Sequence, residues 1–199
     1  GSKFYYSWAW DQFSNLVTRV AGEPLRDLFR RRIAEPIGMN PDAWRWEDWG
    51  PVDGLAVCGG SGWYDKGIFI TARELARVGW LMAAGGQWNG RRILSEAWLR
   101  ESTAVQVPSD VPPYDAEKWY KRLPGACGIG WWLNTPSPAG EPIWPSAPRG
   151  ACFIHGNRNN MLIVIPEWQM VVVRMGTDNR IDTGGYDDFF ARMTDAITD

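Results

Sequence analysis

Apolar residues fall along this chain in two rhythms. Between Gly150 and Met175 they come in three short runs, at 151–154, 161–165 and 170–173, separated by HGNRNN and PEW. Runs of four or five residues rich in Val and Ile, bounded by Gly, Asn and Pro, are strand signals, too short for buried helices. Pro166 cannot donate to a ladder and belongs at a strand end. The pattern predicts an antiparallel meander in the middle of a sheet. Its polar corner, 155–160, is where a site is expected.

Elsewhere the apolar spacing is three and four. Trp10, Phe13, Leu16, Val17 and Val20 mark an amphipathic helix over about 9–21, stopped by Gly22. Pro24 opens a second helix that carries Leu25, Leu28, Phe29 and Ile33 inward and ends at Pro36 and Gly38. The Trp-rich stretch 40–53 shows no clear period and reads as a loop. Residues 58–62, Cys-Gly-Gly-Ser-Gly, form a tight backbone passage, and 67–70 a short strand. Thr71 and Glu74 have the spacing of a capping box, ahead of a helix to Ala84 with Leu75, Val78, Leu81 and Met82 on one face. Gly85 and Gly86 close it. Trp88-Asn89-Gly90 is a turn, and Ser95 caps a helix from Glu96 to about 104. A long loop with Pro108, Pro112, Pro113 and Pro124 follows, then a strand over 126–134, a Pro-rich excursion over 136–148, and a closing helix over 185–197. With no repeat and no linker, this is one α+β domain over 1–199: an antiparallel central sheet with packed helices.

Composition sharpens this picture little. The chain has 199 residues, 45% apolar and 22% charged, with net charge −2, enough for a real core. That balance leaves no footprint for nucleic acid; Arg30, Arg31 and Arg32 are the only basic run and read as a solvated helix face. No apolar run approaches the ~18 residues of a membrane span. Gly1-Ser2 reads as an expression scar and is set aside. The three cysteines, Cys58, Cys127 and Cys152, have no tight spacing and give no disulfide framework. One histidine does not support a His-based zinc site, and no metal or cofactor is expected. In Cys152-x-x-His155, alternation puts the two on opposite faces of a strand. The fourteen tryptophans are the oddity. Trp8, Trp10, Trp44, Trp46, Trp49, Trp63, Trp131 and Trp132 fall in clusters, which suit a carbohydrate or hydrophobic cleft, or else core and lids.

Chemistry has few candidates. Ser61 in G-G-S-G-W fails the nucleophile-elbow pattern, since Trp63 takes the last glycine position. No Ser-x-x-Lys occurs in the sequence. The pairs Asp178/Asp182 and Asp187/Asp188 read as a polar loop and a helix start. Tyr5 stands directly before the first helix, with Ser7 two residues on. A helix N-terminus favours a phenolate there, and a plain structural tyrosine is the alternative.

Tyr5-Tyr6-Ser7, followed by WAWDQFSNLVTRVAGEPLRDLFRRRIAEPIGM, resembles the serine hydrolases of the β-lactamase and penicillin-binding-protein superfamily. The nearest likeness is to class C β-lactamase-like esterases and 6-aminohexanoate-dimer hydrolases. GIFITARELARVGWLMAAGGQWNGRRIL, GIGWWLN and NMLIVIPEWQMVVVRMG are similar to the family's later blocks, in the same order. The resemblance implies that Tyr5 is the catalytic tyrosine and Ser7 the third position of its motif. In such enzymes the serine of Ser-x-x-Lys attacks a carbonyl while lysine and tyrosine exchange its proton. That motif stands upstream of the tyrosine in the family. The resemblance is therefore to the C-terminal part of a longer or split enzyme, the N-terminal part of the fold being absent. The third motif is altered to His155-Gly156-Asn157-Arg158-Asn159-Asn160, of which His155, Gly156, Asn157 and Arg158 are expected to bind substrate.

The leading expectation is thus a serine hydrolase acting on a small ester, amide or β-lactam-type bond through an acyl-enzyme, inactive as this chain alone. The upstream segment of a parent chain, or a second copy, is the expected partner. A non-catalytic module holding a ligand such as a glycan on its tryptophans is a second reading. A self-contained hydrolase using Ser61 with His155 is a third.

Overall fold

The computed structural model describes residues 2–5, 9–59, 67–114, 125–135, 141–177 and 183–197. Ser7, Trp8, Ser61, Trp63, Asp178 and Asp182 lie outside the described residues. In chain order the strands are β1 (Trp44–Trp46), β2 (Asp48–Val52), β3 (Leu55–Cys58), β4 (Ile68–Ile70), β5 (Gln87–Trp88), β6 (Arg91–Arg92), β7 (Trp132–Leu133), β8 (Cys152–His155), β9 (Met161–Ile165) and β10 (Met170–Arg174). The helices are α1 (Ala9–Ala21), α2 (Leu25–Phe29), α3 (Ala72–Ala83), α4 (Glu96–Ser102) and α5 (Thr183–Ala196).

The meander read from the sequence forms the largest sheet, antiparallel, in the order β10-β9-β8-β7. Strand β9 is buried from end to end. Its odd residues, Met161, Ile163 and Ile165, join Phe153, Trp144 and the α5 residues Tyr186 and Phe190. Its even residues, Leu162 and Val164, pack with Leu133 and Cys152 and with Leu75 and Met82 of α3. A strand covered on both faces needs an unbroken apolar run, and MLIVI supplies it. The sheet therefore lies between α5 and α3. Gly79 lets α3 approach closely: a Cβ there would stand 2.6 Å from Val171 Cγ1 and 2.7 Å from Leu162 Cδ1. A third cluster joins Leu81 of α3 to Ala34, Ile37, Met39 and Trp44. It is built on α2, on the π-helical turn Arg30–Ala34 that continues it, and on β1.

Four expectations need correction. First, 40–53 is not a loop. Strand β1 pairs with β4, and β2 turns back into β3 through Asp53 (φ 50) and Gly54 (φ 79). β1 has three residues, and the five of β2 are broken by a register shift between Asp48 and Gly50, so neither shows a period. Second, only Trp132 and Leu133 of 126–134 are in the sheet. Gly130 (φ 73) turns the segment on itself, and the Gly128 N–H donates to Trp131 O at 2.8 Å. Third, Thr71 caps α3 without a side-chain hydrogen bond. Glu74 is 3% exposed and points inward. Its Oε2 accepts from the Asn40 N–H at 3.2 Å and pairs with Arg77 Nε at 3.2 Å. Burial of a carboxylate with two partners displaces the capping box.

Fourth, α1 has the predicted bounds but the opposite orientation. Phe13, Leu16 and Val20 are 51%, 57% and 81% exposed, while Ser14 and Thr18 are buried. The polar face lies against β3 and the backbone beyond it, where a Cβ on Gly59 would stand 2.8 Å from Ser14 Oγ. Such a close approach admits only small side chains.

Candidate active site

The start of α1, the folded-back turn 127–132 and the end of β8 enclose a shallow hollow. Trp10, Cys127, Gly128, Gly130, Trp131, Trp132, Ile154 and His155 line it. The pairing Trp132↔Phe153 fixes the turn beside β8, and at Gly130 a Cβ would stand 3.9 Å from the Trp10 ring. Three of the tryptophans noted in the sequence thus meet at one place. Trp44 and Trp46 instead pack in the cluster around Leu81, and the Trp49 indole N–H donates to Gly59 O at 2.9 Å.

The segment carrying Tyr5 is pinned near this hollow. The Phe4 N–H donates to Pro112 O at 2.9 Å, and the Tyr114 N–H to Phe4 O at 2.7 Å. The Phe4 ring meets Trp132 edge-on, with centroids 6.5 Å apart. Tyr5 follows, half exposed, its ring edge-on to Tyr114 at 5.2 Å.

His155 closes β8 and lines the hollow. Its Nε2 is 3.1 Å from Asn159 Oδ1. An amide oxygen only accepts, so Nε2 carries the proton of the neutral ring. Burial pushes the imidazole pKa below its ordinary value, and the bond to Asn159 offsets part of that. The neutral form holds at pH 7.

Its neighbours serve the corner itself. The Gly156 N–H donates to Asn160 O at 2.7 Å, and Asn160 Nδ2 donates to Asn157 O at 2.8 Å. Asn157 Oδ1 accepts from the Arg158 N–H at 3.0 Å. Arg158 and Asn159 are both left-handed, with φ 56 and φ 60. His155 therefore lines the hollow, the Tyr5 segment reaches it only through the Phe4 ring on Trp132, and Gly156, Asn157 and Arg158 shape the turn behind it. Ser7 lies outside the described residues.

Sequence reading placed Asn159 in the polar corner but gave it no role, and passed over Arg174. The first has a signal, since Asn tolerates left-handed backbone. The second ends the apolar run VVV with a lone charge. Cys127 lines the hollow as a thiol whose pKa burial raises, which makes it a poor nucleophile. Burial, and then Glu167, push Cys152 up to about 12. All three thiols are free. Among the described residues no cluster of His, Cys, Asp and Glu could hold a metal ion, and no helix is long and apolar enough to cross a membrane.

An antiparallel sheet between helices, with a tyrosine ahead of α1 and a polar corner on the inner strand, defines a β-lactamase-like fold. The family model for beta-lactamase matches residues 1–193, and the chain belongs to that family. The fold is shared with a Mycobacterium bovis beta-lactamase, with a TM-score of 0.65 and 16% identity, over 98% of this chain and 63% of that one. A Bacillus anthracis protein described as a 6-aminohexanoate-dimer hydrolase has a TM-score of 0.63 and 17% identity, over 98% of this chain and 45% of that one. Simvastatin synthase of Aspergillus terreus has a TM-score of 0.64 and 14% identity, over 94% and 54%. No curated protein matches the chain. The chain spans 45% of the Bacillus protein and 63% of the Mycobacterium one, less than two thirds of either.

Proposed function

We propose that this chain supplies the tyrosine and the inner-strand wall of a serine-hydrolase site that cleaves a small ester, amide or β-lactam-type bond through an acyl-enzyme. Membership of the beta-lactamase family over 1–193 carries this reading. Substrate lies in the Trp-lined hollow, against His155, with the corner Gly156-Asn157-Arg158 forming the turn behind that residue. Tyr5, with Ser7 near it, exchanges the proton of the nucleophile. The nucleophile itself comes from a Ser-x-x-Lys segment, which these 199 residues do not contain. This chain by itself is then inactive. The exposed stripe Phe13, Leu16 and Val20 supports a partner segment, because apolar surface of that kind is normally covered.

Fluorophosphonate labelling followed by intact mass tests the reading. The 199-residue chain should take no adduct, and the same chain joined to its upstream polypeptide should take one at the Ser-x-x-Lys serine. An adduct on the isolated chain, lost in Ser61→Ala, would favour the self-contained reading instead. The three tryptophans at the hollow favour a second reading, a non-catalytic module for a ligand such as a glycan. Quenching of tryptophan fluorescence by ligand, with no turnover even after the upstream polypeptide is restored, would support it.

A further inference from the structure

The corner behind His155 is held by a residue outside it. Two consecutive non-glycine residues, Arg158 (φ 56) and Asn159 (φ 60), occupy the left-handed region. This conformation strains Arg158 and, less, Asn159, since Asn tolerates it better, and strain persists only where the surroundings over-determine it. Several of these surroundings can be named. Arg174, the last residue of β10, sends Nη1 to Asn159 O at 2.7 Å and to Arg158 O at 3.4 Å, the carbonyls of the two strained residues. The Gly176 N–H donates to Asn160 Oδ1 at 2.8 Å. A Cβ on Gly176 would stand 2.8 Å from Arg174 Nη1, so the absence of a side chain there leaves room for the guanidinium. Asn159, fixed from behind, is buried and presents Oδ1 to His155 Nε2 at 3.1 Å.

We propose that Arg174 is a positioning residue for His155, acting through Asn159: it clamps the backbone of the left-handed pair and so fixes the amide that sets the imidazole's orientation and tautomer. The inference concerns the geometry of the corner and stands whatever reaction, if any, the site performs. Register explains why this residue does it. Arg174 pairs with Met161 across the sheet, and Met161 with His155, so the three lie in line over β10, β9 and β8. A charged donor at that place reaches the corner from the far edge of the sheet.

The test uses the fact that the chain has one histidine, so its ring gives a single set of imidazole nitrogen resonances and a single imidazole for diethyl pyrocarbonate to carbethoxylate. In the 199-residue chain the Nε2–H tautomer should dominate and carbethoxylation should be slow. Arg174→Met should mix the tautomers and speed modification roughly tenfold, the factor one charge-assisted hydrogen bond controls. Arg174→Lys should recover part of the loss. Asn159→Gly separates positioning from simple stability. Glycine takes the left-handed backbone without strain, so the fold should hold while His155 is released to the same degree. Adding Arg174→Met to Asn159→Gly should then change the ring no further. Additive effects in that double variant, or an Arg174→Met chain whose His155 tautomer and reactivity match the parent, would overturn the proposal.

Discussion

Helix α3 buries Leu81 and half-buries Leu75, Val78 and Met82, whereas α1 exposes Phe13, Leu16 and Val20 and buries Ser14 and Thr18. The two helices are similar in length and in the spacing of their apolar residues. Periodicity tells which face of a helix is apolar; it does not tell which face the neighbouring chain can accept. Around α3 both neighbours are apolar, with β9 and β10 on one side and the Ile37–Trp44 cluster on the other. Around α1 the neighbours are α2, β2 and β3, and beside Ser14 the bare backbone of Gly59 takes a hydroxyl and little more.

The comparison breaks most visibly at Leu81. It is 1% exposed and joins α3 to Ala34, Ile37, Met39 and Trp44. Leu81→Ala should cost about 3 kcal/mol in urea denaturation, from lost transfer energy and the cavity left behind. A cost under about 1 kcal/mol would mean that this cluster is loosely packed. Gly79→Ala comes next. Its methyl would overlap Val171 and Leu162, and overpacking costs ~1–3 kcal/mol, from which the better helix propensity of alanine returns under ~1. The net effect should be a modest destabilisation, readable in the same denaturation curves. A more stable Gly79→Ala chain would show that α3 can move off the sheet.

Much of the layered fold was legible, and the reasons are local. MLIVI between HGNRNN and PEW fixes a central strand, and Gly22, Gly85 and Gly86 sit at helix ends with positive φ. Asn89-Gly90 makes the hairpin of β5 and β6 by the same rule. What was not legible depends on tertiary partners. Glu74 had the spacing of a cap, yet its burial beside Asn40 and Arg77 joins residues up to 34 apart in sequence. At the candidate site, His155 and the polar corner could be read from the chain, because a polar hexapeptide between two apolar runs needs no partner to be seen. Trp10 at the hollow and Arg174 behind the corner could not, since each is set there by packing or register across the sheet.

On α1 the polar face sharpens the comparison. Thr18 is fully buried, and among the described residues its hydroxyl has no hydrogen-bond partner. An unsatisfied buried hydroxyl costs about 1–3 kcal/mol, and valine keeps the shape without it. Thr18→Val should therefore be neutral or stabilise the chain by up to ~1 kcal/mol. The same change on a satisfied hydroxyl would destabilise. A measured loss would show that Thr18 has a partner, such as a water.

The exposed face gives the smallest effect and the most informative one. Val20 is 81% exposed, so Val20→Lys in the 199-residue chain should alter stability by no more than about 0.5 kcal/mol, the range of surface substitutions. The same change at a buried position of α3 would strand a charge in the core. Two further readings make the result decisive. If Val20→Lys costs more than about 1 kcal/mol, something covers this face already. Light scattering then says whether it is a second copy, because a dimer should dissociate in the variant. If the isolated chain is indifferent but the chain joined to the Ser-x-x-Lys segment proposed above loses stability, α1 faces outward here because its apolar partner lies in that segment. Indifference in both would leave the stripe as ordinary exposed surface, and the apolar spacing of α1 would then have no packing role.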